Sequence, residues 1–196
     1  MGSGFDRKRL LRLILNSRAY ALDSATTGGN GDDARLYSHF YVRRLPAEAL
    51  LDALAQATGV ADLFPGYPEG MRAVQLPDPG VKSYFLSLFG RSDRVTACAC
   101  DRSGEVTMAQ LLHLENGESV VKKIRDGQGR LQRLLAAGTP PERIAEELFL
   151  ASLSRRPSEA ELGQTRALFS RGDPPEEVLG DLFWAILNSK EFSFNH

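Results

Sequence analysis

Gly138-Thr139-Pro140-Pro141-Glu142-Arg143-Ile144 runs on through Glu147-Leu148-Phe149-Leu150-Ala151-Ser152-Leu153. It returns 34 residues later as Gly172-Asp173-Pro174-Pro175-Glu176-Glu177-Val178, continuing to Asp181-Leu182-Phe183-Trp184-Ala185-Ile186-Leu187, with eight of sixteen aligned positions identical. Each copy carries the same grammar for starting a helix. Gly138 or Gly172 ends the helix before it, Thr139 or Asp173 is placed to cap the next, and the prolines occupy its first turn. Glu142 or Glu176 then completes a capping box. Preceding helices are expected at the same offset, over about 129–137 and 159–171, the second opened by a capping box of Ser158 and Glu161. The repeating unit is therefore a helical hairpin. The spacing matches that of tetratricopeptide-type repeats, but two copies without that signature are too few for a solenoid.

Outward from the repeat, helical patterns continue to dominate. Residues Asp6 to Ala19 set Leu10, Leu11, Leu13, Ile14 and Leu15 against Arg7, Lys8, Arg9 and Arg12, an amphipathic helix with a basic face. Gly28-Gly29-Asn30-Gly31 breaks regular structure. Pro46 opens a helix through Leu54 that Gly59 ends. Residues 59–80 are rich in proline and glycine and read as a long irregular loop, pinned by side chains such as Phe64 and Leu76. Val81 to Phe89 predicts a short helix, residues 90–104 a second irregular loop, Thr107 with Gln110 a capped helix reaching Asn116-Gly117, and Ser119 to Asp126 a shorter one. Ile14-Leu15-Asn16-Ser17-Arg18-Ala19-Tyr20 echoes Ile186-Leu187-Asn188-Ser189-Lys190-Glu191-Phe192, so the first and last helices are expected to end alike, each with an aromatic folded back on the core.

The expected fold is all-α: a compact multi-helix bundle with two stacked helical hairpins at the C-terminal end and two long irregular loops. Met1 to Gly4 read as an appended leader, 5–126 as an N-terminal helical part, and 127–196 as the hairpins, packed with the rest as one domain. A chain of 196 residues and 21.5 kDa buries roughly 70% of the surface its unfolded form exposes and needs no staples. At 42% apolar and 25% charged residues it is neither disordered nor collagen-like. No stretch has the length of a membrane helix. A net charge of −1 offers no global field for nucleic acid. Charge is nonetheless divided: residues 1–44 carry eight basic and four acidic side chains, and residues 139–196 six and ten. The two ends are expected to lie against each other or to present solvated faces.

Three groups of residues span nearly the whole chain and together resemble a known family. The first runs from Asn16-Ser17-Arg18-Ala19-Tyr20 through Tyr37-Ser38-His39-Phe40-Tyr41-Val42-Arg43-Arg44-Leu45 to Lys82-Ser83-Tyr84-Phe85-Leu86 with Phe89-Gly90-Arg91. The second is Cys98-Ala99-Cys100-Asp101-Arg102 and Gln110-Leu111-Leu112-His113-Leu114 with Asn116-Gly117. The third is Leu148-Phe149-Leu150 through Arg156-Pro157-Ser158 and the close Leu187 to His196. The pattern resembles the PSD-one family, a C-terminal domain of unknown function in large exported planctomycete proteins that often carry cytochrome c-like domains. The resemblance implies export to the periplasm or cell surface. Family members carry an aromatic-rich helical start ahead of the Phe5-Asp6 region, so this chain is expected to be a trimmed or divergent piece. It has no haem attachment motif: Cys98-Ala99-Cys100-Asp101 has the wrong spacing and no histidine follows.

Two constellations could carry chemistry. Cys98 and Cys100, flanked by Arg91, Arg94 and Arg102, could hold a soft metal with His113, His39 or Asp101, or act as a redox pair; small structural residues are the preferred reading. Tyr37, His39, Tyr41, Arg43 and Arg44 interleave aromatics with cations and could stack on sugar rings or grip an acidic ligand. The preferred reading packs those aromatics into the core and pairs the arginines with acids. No catalytic residue is assigned, since nucleophile elbow, phosphate loop and zinc helix are all missing from the sequence. The reading that follows is a non-catalytic interaction or scaffold domain with no cofactor of its own. Its partners would be other domains of the same polypeptide, other proteins or surface carbohydrate. The alternative is a ligand- or metal-using catalytic or redox domain, directed at polysaccharide and centred on the Cys98-X-Cys100 loop. A third expectation is a packing half whose exposed apolar face drives self-association.

Overall fold

The computed structural model describes residues 6–33, 35–77, 80–91 and 118–195. The chain falls into two compact units, Met1–Arg44 with Phe194–His196, and Leu45–Ser193.

The smaller unit opens with α1 (Arg7–Leu15). Asp6 caps it, its carboxylate accepting the amides of Lys8 at 2.9 Å and Arg9 at 3.2 Å. The helix stops four residues short of the expected Ala19, because Asn16 already closes it and the Ser17 hydroxyl donates to the Ile14 carbonyl at 2.7 Å. Its aliphatic stripe exists as expected but buries nothing: Leu10, Leu11, Leu13, Ile14 and Leu15 are 47% to 63% exposed. After an irregular stretch, β1 (Arg43–Arg44) pairs antiparallel with β2 (Phe194–Asn195), Arg43 opposite Asn195 and Arg44 opposite Phe194. The glycine-rich and aromatic patterning gave no sign of this two-residue ladder.

Among the described residues of the larger unit the regular elements are all helical. It comprises α2 (Ala47–Thr58), a single 3-10 turn at Ala73–Gln75, α3 (Tyr84–Leu88), α4 (Glu118–Arg125), α5 (Arg130–Ala136), α6 (Pro141–Leu153), α7 (Glu159–Phe169), α8 (Pro175–Leu187) and the short α9 (Lys190–Ser193). The core is the meeting of α2, α6 and α8. Leu50, Leu54, Ile144, Leu148, Leu179 and Phe183 are all but sealed from solvent, each pair four apart on its helix as one buried stripe requires. Two cations finish α2 from other elements. Arg130 donates to the Ala57 carbonyl at 2.7 Å and the Gln56 carbonyl at 3.0 Å. Lys123 donates to the Val60 carbonyl at 2.8 Å. Gly59 turns the chain at φ 73°, a left-handed angle that disfavours a side chain.

The repeat is realised in three dimensions. Helices α6 and α8 are both 13 residues long and pack against each other. Each begins with a proline at its first helical position, after Gly138 and Gly172 at positive φ. Their starts differ from expectation in one respect. The residue in the cap position is Pro140 or Pro174, neither helix has a side-chain cap, and the boxes expected from Thr139 with Glu142 and Asp173 with Glu176 do not form. The second proline removes one amide that would need a partner and presets φ, so the start needs less capping. The expected Ser158–Glu161 box does form. The first arms of the hairpins are unequal, α5 having 7 residues and α7 having 11.

The echoed endings also match in geometry. Asn16 and Asn188 close their helices at φ −93°, ψ 6° and φ −95°, ψ 1°. The hydroxyls of Ser17 and Ser189 then accept the amide three residues on, from Tyr20 at 3.2 Å and Phe192 at 3.1 Å. The aromatics part company: Phe192 is 5% exposed and belongs to the core, whereas Tyr20 is 60% exposed.

Candidate interaction surface

Helix α8 has two faces. Val178, Leu179, Phe183, Ile186 and Leu187 point into the core, Glu177 and Asp181 point away from it, and Trp184 packs against its edge. Trp184 stands half-buried between two grooves. One, of about 640 Å³, lies between α4, α5 and α8, with Val121, Ile124 and Leu131 as apolar lining and Glu176, Glu177 and Asp181 along α8. The other, of about 520 Å³, lies between α6, α7 and α8 and is mostly apolar, with Phe149, Leu168, Leu182 and Ala185. Asp181 and Trp184 line both.

The polar clusters elsewhere in this unit are spent on holding it together. Arg155, at the end of α6, donates to Glu161 of α7 at 2.9 Å and to Glu191 of α9 at 2.5 Å, with its guanidinium carbon 5.5 Å from the Phe149 ring centroid. Hydrogen bonds from Arg155, then from Ser158, hold the Glu161 carboxyl down to about 2. Asp52, buried on α2, accepts the amides of Ala73 at 2.6 Å and Val74 at 3.3 Å and pairs with Arg72 at 3.3 Å, so it carries the 3-10 turn. A smaller cleft of about 330 Å³ beside it contains Asp62, whose pKa burial raises and whose partner is Lys123 at 3.1 Å. Both carboxylates of that cleft therefore serve the loop after α2. Among the described residues no three His, Cys, Asp or Glu side chains form a group that could hold a metal ion, and no helix is long and apolar enough to cross a membrane.

The residues singled out from sequence divide three ways. Tyr37, His39 and Tyr41 do come together in the smaller unit: Tyr37 and Tyr41 rings are 5.0 Å apart and tilted, and His39 meets Tyr41 edge-on at 5.1 Å. They stack on one another rather than entering the main core, with Tyr37 exposed at a positive φ of 54°. Asp33 builds this loop by accepting the amides of Arg35, Leu36 and Ser38 and the Ser38 hydroxyl, bonds that hold its carboxyl far below the usual range. Arg43 and Arg44 are engaged through their backbone in the ladder, Arg43 also donating its amide to the Asn195 side chain at 3.0 Å. Arg91 belongs to the other unit, with a side chain 6% exposed and 3.8 Å from Glu48 of α2. Cys98, Cys100, Asp101, Arg102 and His113 lie outside the described residues.

A family model described as a protein of unknown function (DUF1553, PSD1) matches residues 1–169. The chain belongs to the PSD1 family. No curated protein and no solved structure matches it. The PSD1 match ends at the last residue of α7, so α8 and the close at Leu187 to His196 fall beyond it.

Sequence reasoning missed the α8 surface of this PSD1 chain. The signal was present in the comparison of the two copies: where the first has Leu150, the second has Trp184, and where the first has Glu147, the second has Asp181. The second copy thus adds a large aromatic, partly open to solvent, of the kind interfaces use.

Proposed function

We propose that this PSD1 chain is a non-catalytic, all-helical interaction and scaffold domain of a larger exported, cytochrome-associated multidomain protein, and that the outward face of α8 is where it docks its partner. Trp184 carries the reading. A half-buried tryptophan between an acidic groove and a mostly apolar one leaves part of its ring in water, and such residues are the anchors of protein interfaces. The carboxylates beside it would fix register and partner choice more than affinity. The charged groups at Asp52, Asp62, Arg155 and Arg91 each pair with a neighbouring group of the larger unit. Neighbouring domains of the same polypeptide and other proteins are the partners that suit such a surface.

The test is a photo-reactive benzophenone side chain at position 181 in the full-length protein, expressed in its own cells. A discrete polypeptide adduct is expected there and not from the same group at Arg166, an exposed position on α7. Equal labelling at both positions, or none at 181, would overturn the assignment.

A further inference from the structure

We infer that the groove between α4, α5 and α8 seats helix α1 of a second copy of this chain. The inference deepens the proposed docking role of α8 and rests on it.

The two surfaces are complementary in both apolarity and charge. Helix α1 has ordered caps at both ends and is a finished helix, yet none of its residues is buried. Its five aliphatics stand in solvent beside Arg7, Lys8, Arg9 and Arg12. Its ending is the same as that of α8, down to the angles of the closing asparagine, but α8 buries Ile186 and Leu187 where α1 exposes Ile14 and Leu15. The groove offers what α1 lacks. Val121 and Trp184, both half-buried, supply apolar lining, Glu176, Glu177 and Asp181 offer charge opposite to that of α1, and Arg125 is the single cation among its lining residues. An amphipathic helix laid in such a groove is a recurring mode of recognition. One contact by a nine-residue helix is small, but two copies exchanging α1 make the contact twice and can close as a symmetric pair.

The same basic, leucine-rich face could instead lie on an anionic membrane surface. The acidic groove on the same chain favours protein over lipid, and the experiment separates them.

Sedimentation of the full chain should show a reversible dimer that weakens as salt is raised. Leu11→Gln with Leu13→Gln, both at exposed positions, should weaken it at least tenfold with an unchanged circular dichroism spectrum. Glu177→Lys with Asp181→Lys should do the same. Mixing that groove variant with a chain carrying Lys8→Glu and Arg12→Glu should restore association, because both exchanged contacts then pair opposite charges. A chain that stays monomeric, a dimer indifferent to both pairs, or a monomer that binds phosphatidylglycerol vesicles through Leu11 and Leu13 would overturn the inference. If position 181 still yields an adduct with another polypeptide while the chain is monomeric, the inference fails and the docking role of α8 stands. If neither adduct nor dimer is found, both fail.

Discussion

Asp52 shows how much one buried side chain can organise. It sits on the inward face of α2, where its neighbours Leu50, Leu51 and Leu54 are apolar, and its two oxygens reach the amides that begin the 3-10 turn 21 residues later. Replacing it with alanine would leave those amides without their acceptor and cost about 2 to 3 kcal/mol. Asp52→Asn keeps one acceptor and should lose about half as much. Urea denaturation measures the difference, and faster tryptic cleavage after Arg72 in the folded variant would show that the loop itself has been released. Equal stability of Asp52→Ala and the parent would mean that the turn holds without it. Nothing in Leu-Leu-Asp-Ala-Leu announces this role, because the partners are backbone amides on a loop whose path no local pattern specifies. The reverse holds for Arg91: the sequence marks it as a cation beside the cysteines, and only the fold shows it turned inward onto Glu48.

Between elements, the joints are made by single residues with more than one partner. Arg155 ties the end of α6 to the start of α7 and to α9. Glu161 titrates at about 2 in the folded chain against an ordinary 4.5, so its contribution is complete above about 4.5 and is lost as pH falls toward 2. Arg155→Met should therefore destabilise the chain by about 1 kcal/mol at neutral pH, a figure kept low because the pair is open to solvent. The gap between parent and variant should close as urea denaturation is repeated from pH 5 down to about 2. A gap that stays constant would show that packing on Phe149, not charge, is what Arg155 supplies. The joint between α4 and α5 depends on the lack of a side chain. A Cβ at Gly129 would stand 2.9 Å from the Asp126 carbonyl oxygen and 3.1 Å from that of Lys123, both rigid backbone. Gly129→Ala should cost about 1 to 3 kcal/mol by thermal melting, and an unchanged melting temperature would contradict the tightness of this turn. These joints were partly legible. The Ser158–Glu161 box and the paired prolines are local signals and were readable as such, whereas Arg155 meets Glu191 across 36 residues and could not be.

For the molecule as a whole, the repeat was the most legible feature because its two copies are pressed into one core: Phe149 and Phe183 recur at one offset and are both buried, while Leu148 is buried and its counterpart Leu182 half-buried. The division into two units was not legible, since the short ladder joining Arg43–Arg44 to Phe194–Asn195 pairs residues from opposite ends of the chain with no β-rich run at either. The amphipathic pattern of α1 specifies a helix, but periodicity tells only that a face exists and not what covers it. That distinction has a measurable consequence. A helix of nine residues with no buried side chain has little tertiary support, and isolated helices shorter than roughly 12 to 15 residues are marginal in water. In dilute solution the amides from Leu11 to Leu15 should exchange with deuterium nearly as fast as an unstructured peptide, while those of Leu54, Leu148 and Phe183 exchange only through global unfolding. Raising the protein concentration should slow exchange in α1 and leave the core amides unchanged, because only the former would gain cover from another copy. Protection of α1 equal to that of α8 at every dilution would mean that the helix is supported within its own chain, and its leucines would then have no vacancy to fill.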